Sequence, residues 1–221
     1  MRHSQVGNVT RIQEKQMNYF KIPPLIANSL RKLRGNLRKD LYYFWPAPEG
    51  QSSDEGREMH EDNIILQLGA ILKPKAYIYT QVSTNEHPNI DVDFVALSHK
   101  EDWFLICEAK RGYGTSHVRG ISTDIERILL VAKSKAFQGY ERAYGLILVT
   151  VWDKSEKRAL IRAWKNNHLG LNNKSPMSRA CKVVIKKLDG LNARRGILKV
   201  NDYGDEGNHF LLYAVFKLDV P

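Results

Sequence analysis

Between Ile90 and Gly112 the chain reads IDVDFVALSHKEDWFLICEAKRG, two apolar blocks that carry charge at one end of each. The blocks are short, β-branched and aromatic, and polar clusters bound them, which predicts strands rather than a helix. Asp91 and Asp93 open the first strand, Phe94 to Leu97 fill it, Ser98 to Asp102 turn, and Trp103 to Cys107 run into Glu108-Ala109-Lys110. Side chains alternate across a strand, so Asp91 and Asp93 are expected on one face, and Glu108 and Lys110 on one face. If the two strands are neighbours, two or three carboxylates and an ammonium converge at one edge of a buried sheet. Carboxylates gathered there repel one another unless a cation sits between them. An oxygen-rich site with few protein ligands suits a hard divalent ion such as magnesium. A lysine beside it could hold or activate a water, or offset charge developing on a phosphate. The bland alternative is that the aspartates are solvated strand ends and that Glu108 and Lys110 pair on an exposed edge.

An acid, a hydrophobic strand, a turn, a second hydrophobic strand and Glu-x-Lys together resemble the core of the PD-(D/E)xK nucleases, the restriction-endonuclease-like superfamily. Pro88 is near the first acid without adjoining it, so the first half of the motif is loose. Glu108-Ala109-Lys110 is the only acid-x-Lys triplet in the chain. The resemblance implies an α/β fold with a mixed central sheet flanked by helices in the order αβββαβ. It implies magnesium-dependent cleavage of nucleic acid, with manganese as a substitute ion and DNA favoured over RNA. It assigns Asp93 and Glu108 to the metal and Lys110 to the attacking water. Asp91 is the rival for the first position, and Asp93 is preferred because it directly precedes the hydrophobic strand. Double-strand cleavage would need two active sites, hence a homodimer or two binding events.

The flanking sequence agrees with that order. Lys and Arg number 34 against 24 acids, a net charge of +10 that favours a polyanionic partner. Residues 1–50 are expected to form a helical extension ahead of a nuclease-like domain over 51–221. Within it, Pro24 starts a helix to about Tyr42 with Leu30, Leu33, Leu37 and Leu41 at helical spacing. Pro46 to Gly56 reads as a loop, and Ser52 with Glu55 offers a capping box for a helix from about Asp54 to Leu72. Ile64, Ile65, Leu68, Ile71 and Leu72 mark its buried stripe, which extended backwards reaches Glu61. In the resembled family this helix often supplies a glutamate to the site, which makes Glu61 the candidate, with Glu58 one turn earlier as the substitute and His60 as a lesser participant. Its other reading is an acid favoured by the helix dipole.

Ala76 to Val82 reads as the first strand, followed by a turn over STNEHPN. Val118 to Phe137 reads as a helix whose stripe is Ile121, Ile125, Ile128, Leu129, Ala132 and Ala136, with Thr123 and Glu126 able to cap a later start. Arg111 beside the triplet, and Arg119 and Lys133 on that helix, are candidates for nucleic-acid contact. Arg127, Lys133 and Lys135 lie off the stripe and could contact phosphates, though each reads first as a solvated helix face. Tyr144 to Trp152 reads as a central strand, parallel to its predecessor because a helix joins them. Lys154 to Asn167 reads as a helix with Leu160, Ile161 and Trp164 inward. Cys181 to Leu188, Gly196 to Val200 and Phe210 to Leu218 read as three more strands, the last two joined by a turn in 202–207, with Arg194 and Arg195 in a loop. Cys107 and Cys181 read as buried thiols, with no disulfide framework or zinc site. No stretch has the length of a membrane span or the pattern of a secretory signal, so a cytoplasmic location without membrane partners is the expectation.

Overall fold

The computed structural model describes residues 21–44, 61–112, 114–152, 158–166, 175–202 and 208–219, apart from the side chains of 40–44, 152, 158, 166, 201 and 202. Its elements are α1 (Pro24–Phe44), α2 (Glu61–Leu72), β1 (Tyr77–Thr84), β2 (His87–Ser98), β3 (Trp103–Arg111), α3 (Thr115–Val131), β4 (Arg142–Trp152), α4 (Arg158–Asn166), α5 (Pro176–Gly190), β5 (Arg194–Asp202) and β6 (Asn208–Lys217). The strands form one mixed sheet in the order β1-β2-β3-β4-β6-β5. β3 and β4 run parallel and all other neighbours antiparallel. The parallel pair follows from the α3 crossover, because a hairpin cannot return a chain in the same direction.

Helices cover both faces. Ile26, Leu30, Leu33 and Leu37 of α1 and Ile64, Leu68 and Leu72 of α2 pack on Phe94, Ala96, Leu105, Cys107 and Leu148. Val118, Ile121, Ile125 and Ile128 of α3 and Val184, Ile185 and Leu188 of α5 pack on Val95, Phe104, Ile106, Ile147 and Val149. The basic α1 is thus seated on its own domain, its leucines buried and Arg31, Lys32, Arg34 and Arg38 exposed. Being covered on both faces goes with the apolar runs Trp103 to Cys107 in β3 and Leu146 to Val149 in β4.

Several expectations are corrected. Cys181 to Leu188 is helix, not strand: Ser175 accepts a hydrogen bond from Ser178 N at 3.0 Å as an N-cap, Pro176 occupies the first turn, and Ala180, Cys181, Val184, Ile185 and Leu188 recur at helical spacing. Arg194 and Arg195 lie in β5 rather than a loop, and Arg195 bonds Asp189 at 2.9 Å. The turn over STNEHPN narrows to Asn85-Glu86, with Pro88 in an irregular part of β2 where a missing donor is tolerated. The helix expected to reach Phe137 ends at Val131 and resumes as a 3-10 turn over Lys135–Phe137, leaving Ala136 exposed. Its N-cap is Gly114, so Thr123 is mid-helix and starts nothing. The capping box of Ser52 and Glu55, the loop Pro46 to Gly56, the candidates Glu58 and His60, the side chain of Leu41 and the turn at 203–207 lie outside the described residues. Cys107 and Cys181 are buried free thiols.

Candidate active site

The antiparallel ladder between β2 and β3 runs from Ser98 opposite Trp103 to Phe94 opposite Cys107. Beyond it the strands part, and side chains replace the partner strand. Ala109 N donates to Asp93 Oδ2 at 2.9 Å, and Arg111 N donates to Glu61 Oε1 at 2.7 Å. These two donors are two residues apart on the same edge of β3, about 7 Å along the strand. Satisfying these two backbone donors with carboxylates spares them the cost of a buried, unpaired N–H where the partner strand is missing.

Glu108, opposite Asp93, is 1% exposed. Among the described residues, neither of its oxygens has a hydrogen-bond donor in bonding geometry. Burial, then the charge of Asp93, push the Glu108 carboxyl up to about 9, and Arg127 opposes the shift. Two carboxylates are both acceptors, so this pair is satisfied only by a shared proton or a cation. Burial and the same two acids also hold the Cys107 thiol well above its usual range.

Helix α3 closes the notch. Asp124 lies on its inward stripe between Ile121 and Ile128 and is buried. Asp124 Oδ2 is 3.3 Å from Lys110 Nζ, and Oδ1 accepts from Arg127. Arg127 Nε is 3.3 Å from Glu108 Oε1, and Arg127 Nη1 donates to the Asp91 carbonyl at 3.3 Å. A chain of polar contacts therefore links Lys110, Asp124, Arg127 and Glu108. Burial raises the Asp124 carboxyl, while the Lys110 charge and the Arg127 hydrogen bond work against it.

Asp93, Glu108 and Lys110 are brought together on the α3 side. Asp91 is not part of that contact: its side chain is exposed and only its carbonyl meets Arg127. The alternation expected to align Asp91 with Asp93 breaks here, since Val92 and Val95, three residues apart, both enter the α3-side core. Gln81, opposite Asp93, takes φ 51, which marks the same distortion. Glu61 reaches the edge of β3 at the first residue of α2, where its partner is Arg111, with Nε at 3.8 Å. Arg119 is exposed and lines a cleft with Arg179 between α3 and α5, and Lys133 is exposed just past α3. Sequence reading missed Asp124 and placed Arg127 on a solvated face. The signal for Asp124 was present: three residues after Ile121 and four before Ile128, it falls on the core stripe.

Among the described residues, no three His, Cys, Asp or Glu side chains group as a ready-made metal cage. Magnesium does not require one, because it keeps several waters and binds through one or two carboxylates plus substrate oxygens. The unsatisfied Glu108 oxygens beside Asp93 fit such an ion. No protein-family model, curated protein or solved structure matches the chain. Among the described residues no helix is long and apolar enough to cross a membrane.

Proposed function

We propose that this chain is a magnesium-dependent nuclease with a restriction-endonuclease-like core, acting on nucleic acid and preferentially on DNA. The observation that carries the reading is Glu108, a buried carboxyl facing Asp93 at a parted strand end, with Lys110 two residues on. The order α2-β1-β2-β3-α3-β4, with β4 parallel to β3, is the order the resemblance implies. The net charge of +10 supports a polyanionic substrate.

In this reading Asp93 and Glu108 hold the ion, which would polarise a phosphoryl oxygen and acidify a bound water. Lys110 orients the attacking water and offsets charge on the phosphate. Asp124 holds the Lys110 ammonium in place from α3. Glu61 keeps Arg111 N bonded so that the end of β3 stays straight beside the notch. Arg111 is the nearest candidate for a phosphate contact, whereas Arg119 and Lys133 would touch nucleic acid only along the outer side of α3.

Calorimetry with magnesium and manganese, paired with cleavage of mixed DNA and RNA substrates, tests the reading. Ion binding and ion-dependent cutting by the parent, both lost in Asp93→Ala/Glu108→Ala, are expected. Cleavage by Glu108→Ala at the parental rate would overturn the mechanism. A second reading has one observation in its favour: the Arg127 guanidinium already lies 3.3 Å from Glu108, as it would in a nucleic-acid-binding subunit that keeps the fold without turnover. Nucleic-acid binding with no ion binding by the parent would select that reading.

A further inference from the structure

Three of the five large apolar side chains exposed among the described residues gather at the β1 edge: Leu66 at 65%, Tyr77 at 63% and Tyr79 at 49%. Leu66 and Tyr77 border a groove of about 680 Å3 between the end of α2 and the start of β1, floored by Gly69, Ile78 and Leu97. Lys73 and Lys75 come from the α2–β1 connection, and His99 and Lys100 from the β2–β3 turn. Among the described residues no acid lines the groove. Glu101, next in that turn, instead accepts from Trp103 Nε1 at 3.2 Å. A row of three rings crosses the sheet edge: Tyr77 to His99 at 5.9 Å and His99 to Tyr140 at 5.5 Å between centroids. Tyr140 Oη holds His99 Nδ1 at 3.0 Å, which pre-orders the row.

Exposed rings interleaved with lysines suit a ligand that has flat apolar faces and regular negative charge. We propose that this edge is a site for unpaired nucleobases, with a single-stranded segment stacking on Tyr77 and laying its phosphates along Lys73, Lys75 and Lys100. The proposal rests on the nucleic-acid reading above and specifies the form of the substrate. An added peptide strand is a poorer occupant, because β1 is broken at Gln81 and its register with β2 shifts after Val82, which limits a continuous ladder. Tyr77 pairs with Leu97, and Asp93 lies four residues before Leu97 on β2, roughly 13 Å along the strand. That separation corresponds to about four stacked nucleotides.

The test is fluorescence anisotropy in EDTA, so that binding is read without cleavage, using labelled oligothymidylate and a duplex of equal length. Tyr77→Ala is expected to weaken single-strand binding roughly 5- to 100-fold, the loss of one stacked base, with duplex affinity unchanged. Tyr77→Phe should retain binding, and Lys100→Ala should reduce the salt slope by about 0.7. Equal single-strand affinity for parent and Tyr77→Ala would overturn the proposal. So would a parent dimer in sedimentation that Tyr77→Ala dissociates without changing oligonucleotide affinity, since the face would then belong to a second copy. Tyr77-dependent binding in a protein that never cleaves would sink the nuclease and leave this site standing. Cleavage with affinity indifferent to Tyr77 would do the reverse.

Discussion

Replacing Glu108 with Gln should make the protein more stable at mildly alkaline pH while removing its ability to hold a cation. The folded state keeps the Glu108 proton up to about 9, against 4.5 for an ordinary glutamate. Between those values the folded chain binds more protons than the unfolded one, so stability falls as pH rises. Each pH unit in that window removes about 1.4 kcal/mol, and pH 5 to 8 removes roughly 4 kcal/mol. Glu108→Gln resembles the protonated acid in shape, can donate to Asp93, and has no proton to lose. After allowing about 1–2 kcal/mol for the lost Arg127 pairing, the variant should exceed the parent at pH 8 by about 2–3 kcal/mol. The two should converge near pH 5. Guanidinium denaturation in EDTA at pH 5, 6, 7 and 8 measures the difference directly. A Glu108→Gln variant less stable than its parent at pH 8 would refute the reasoning. That is the result expected if the Glu108–Arg127 pair were there for stability, because removing one partner of a stabilising buried pair is costly.

Asp124→Asn should lower single-turnover cleavage on the order of 100-fold by loosening Lys110, while calorimetric manganese affinity stays near the parent's; cleavage at the parental rate would remove Asp124 from the site. Gly112→Ala places a Cβ 2.7 Å from Val151 Cγ2 and 2.9 Å from Leu160 Cδ2, an overpacking expected to cost about 1–3 kcal/mol in chemical denaturation. Ser175→Ala should cost about 1 kcal/mol through loss of the α5 N-cap, and an unchanged denaturation midpoint would show that the helix start is held elsewhere.

The strand pair around Glu-x-Lys was legible because both of its causes are local: apolar runs that cannot stay in water, and charges at their ends. The crossover to β4 was legible for a similar reason, since its helix and strand have distinct periods. Cys181 to Leu188 was misread because CKVVIKKL satisfies both patterns over eight residues. The deciding features, Ser175 and Pro176, lie upstream of the apolar run. Asp124 was passed over because an acid on a core stripe is costly in isolation, and only Lys110 and Arg127 arriving beside it offset that cost.

The sequence by itself determined the local periods, the order of helices and strands through β4, and the presence of Glu108 and Lys110 at a strand end; Asp93, expected to open its strand, lies inside β2, which starts at His87. It did not determine which groups meet. That Asp93 rather than Asp91 faces Glu108 depends on a kink in β2 shared with Gln81, and that Glu61 bonds Arg111 N depends on β2 parting from β3. That Arg127 reaches Glu108 depends on how α3 seats its isoleucines against the sheet. Contacts of this kind join residues 15 to 50 positions apart. They are decided by register and packing, which no local pattern encodes, and the same packing removes water from Glu108 and so creates its demand for a proton or a cation.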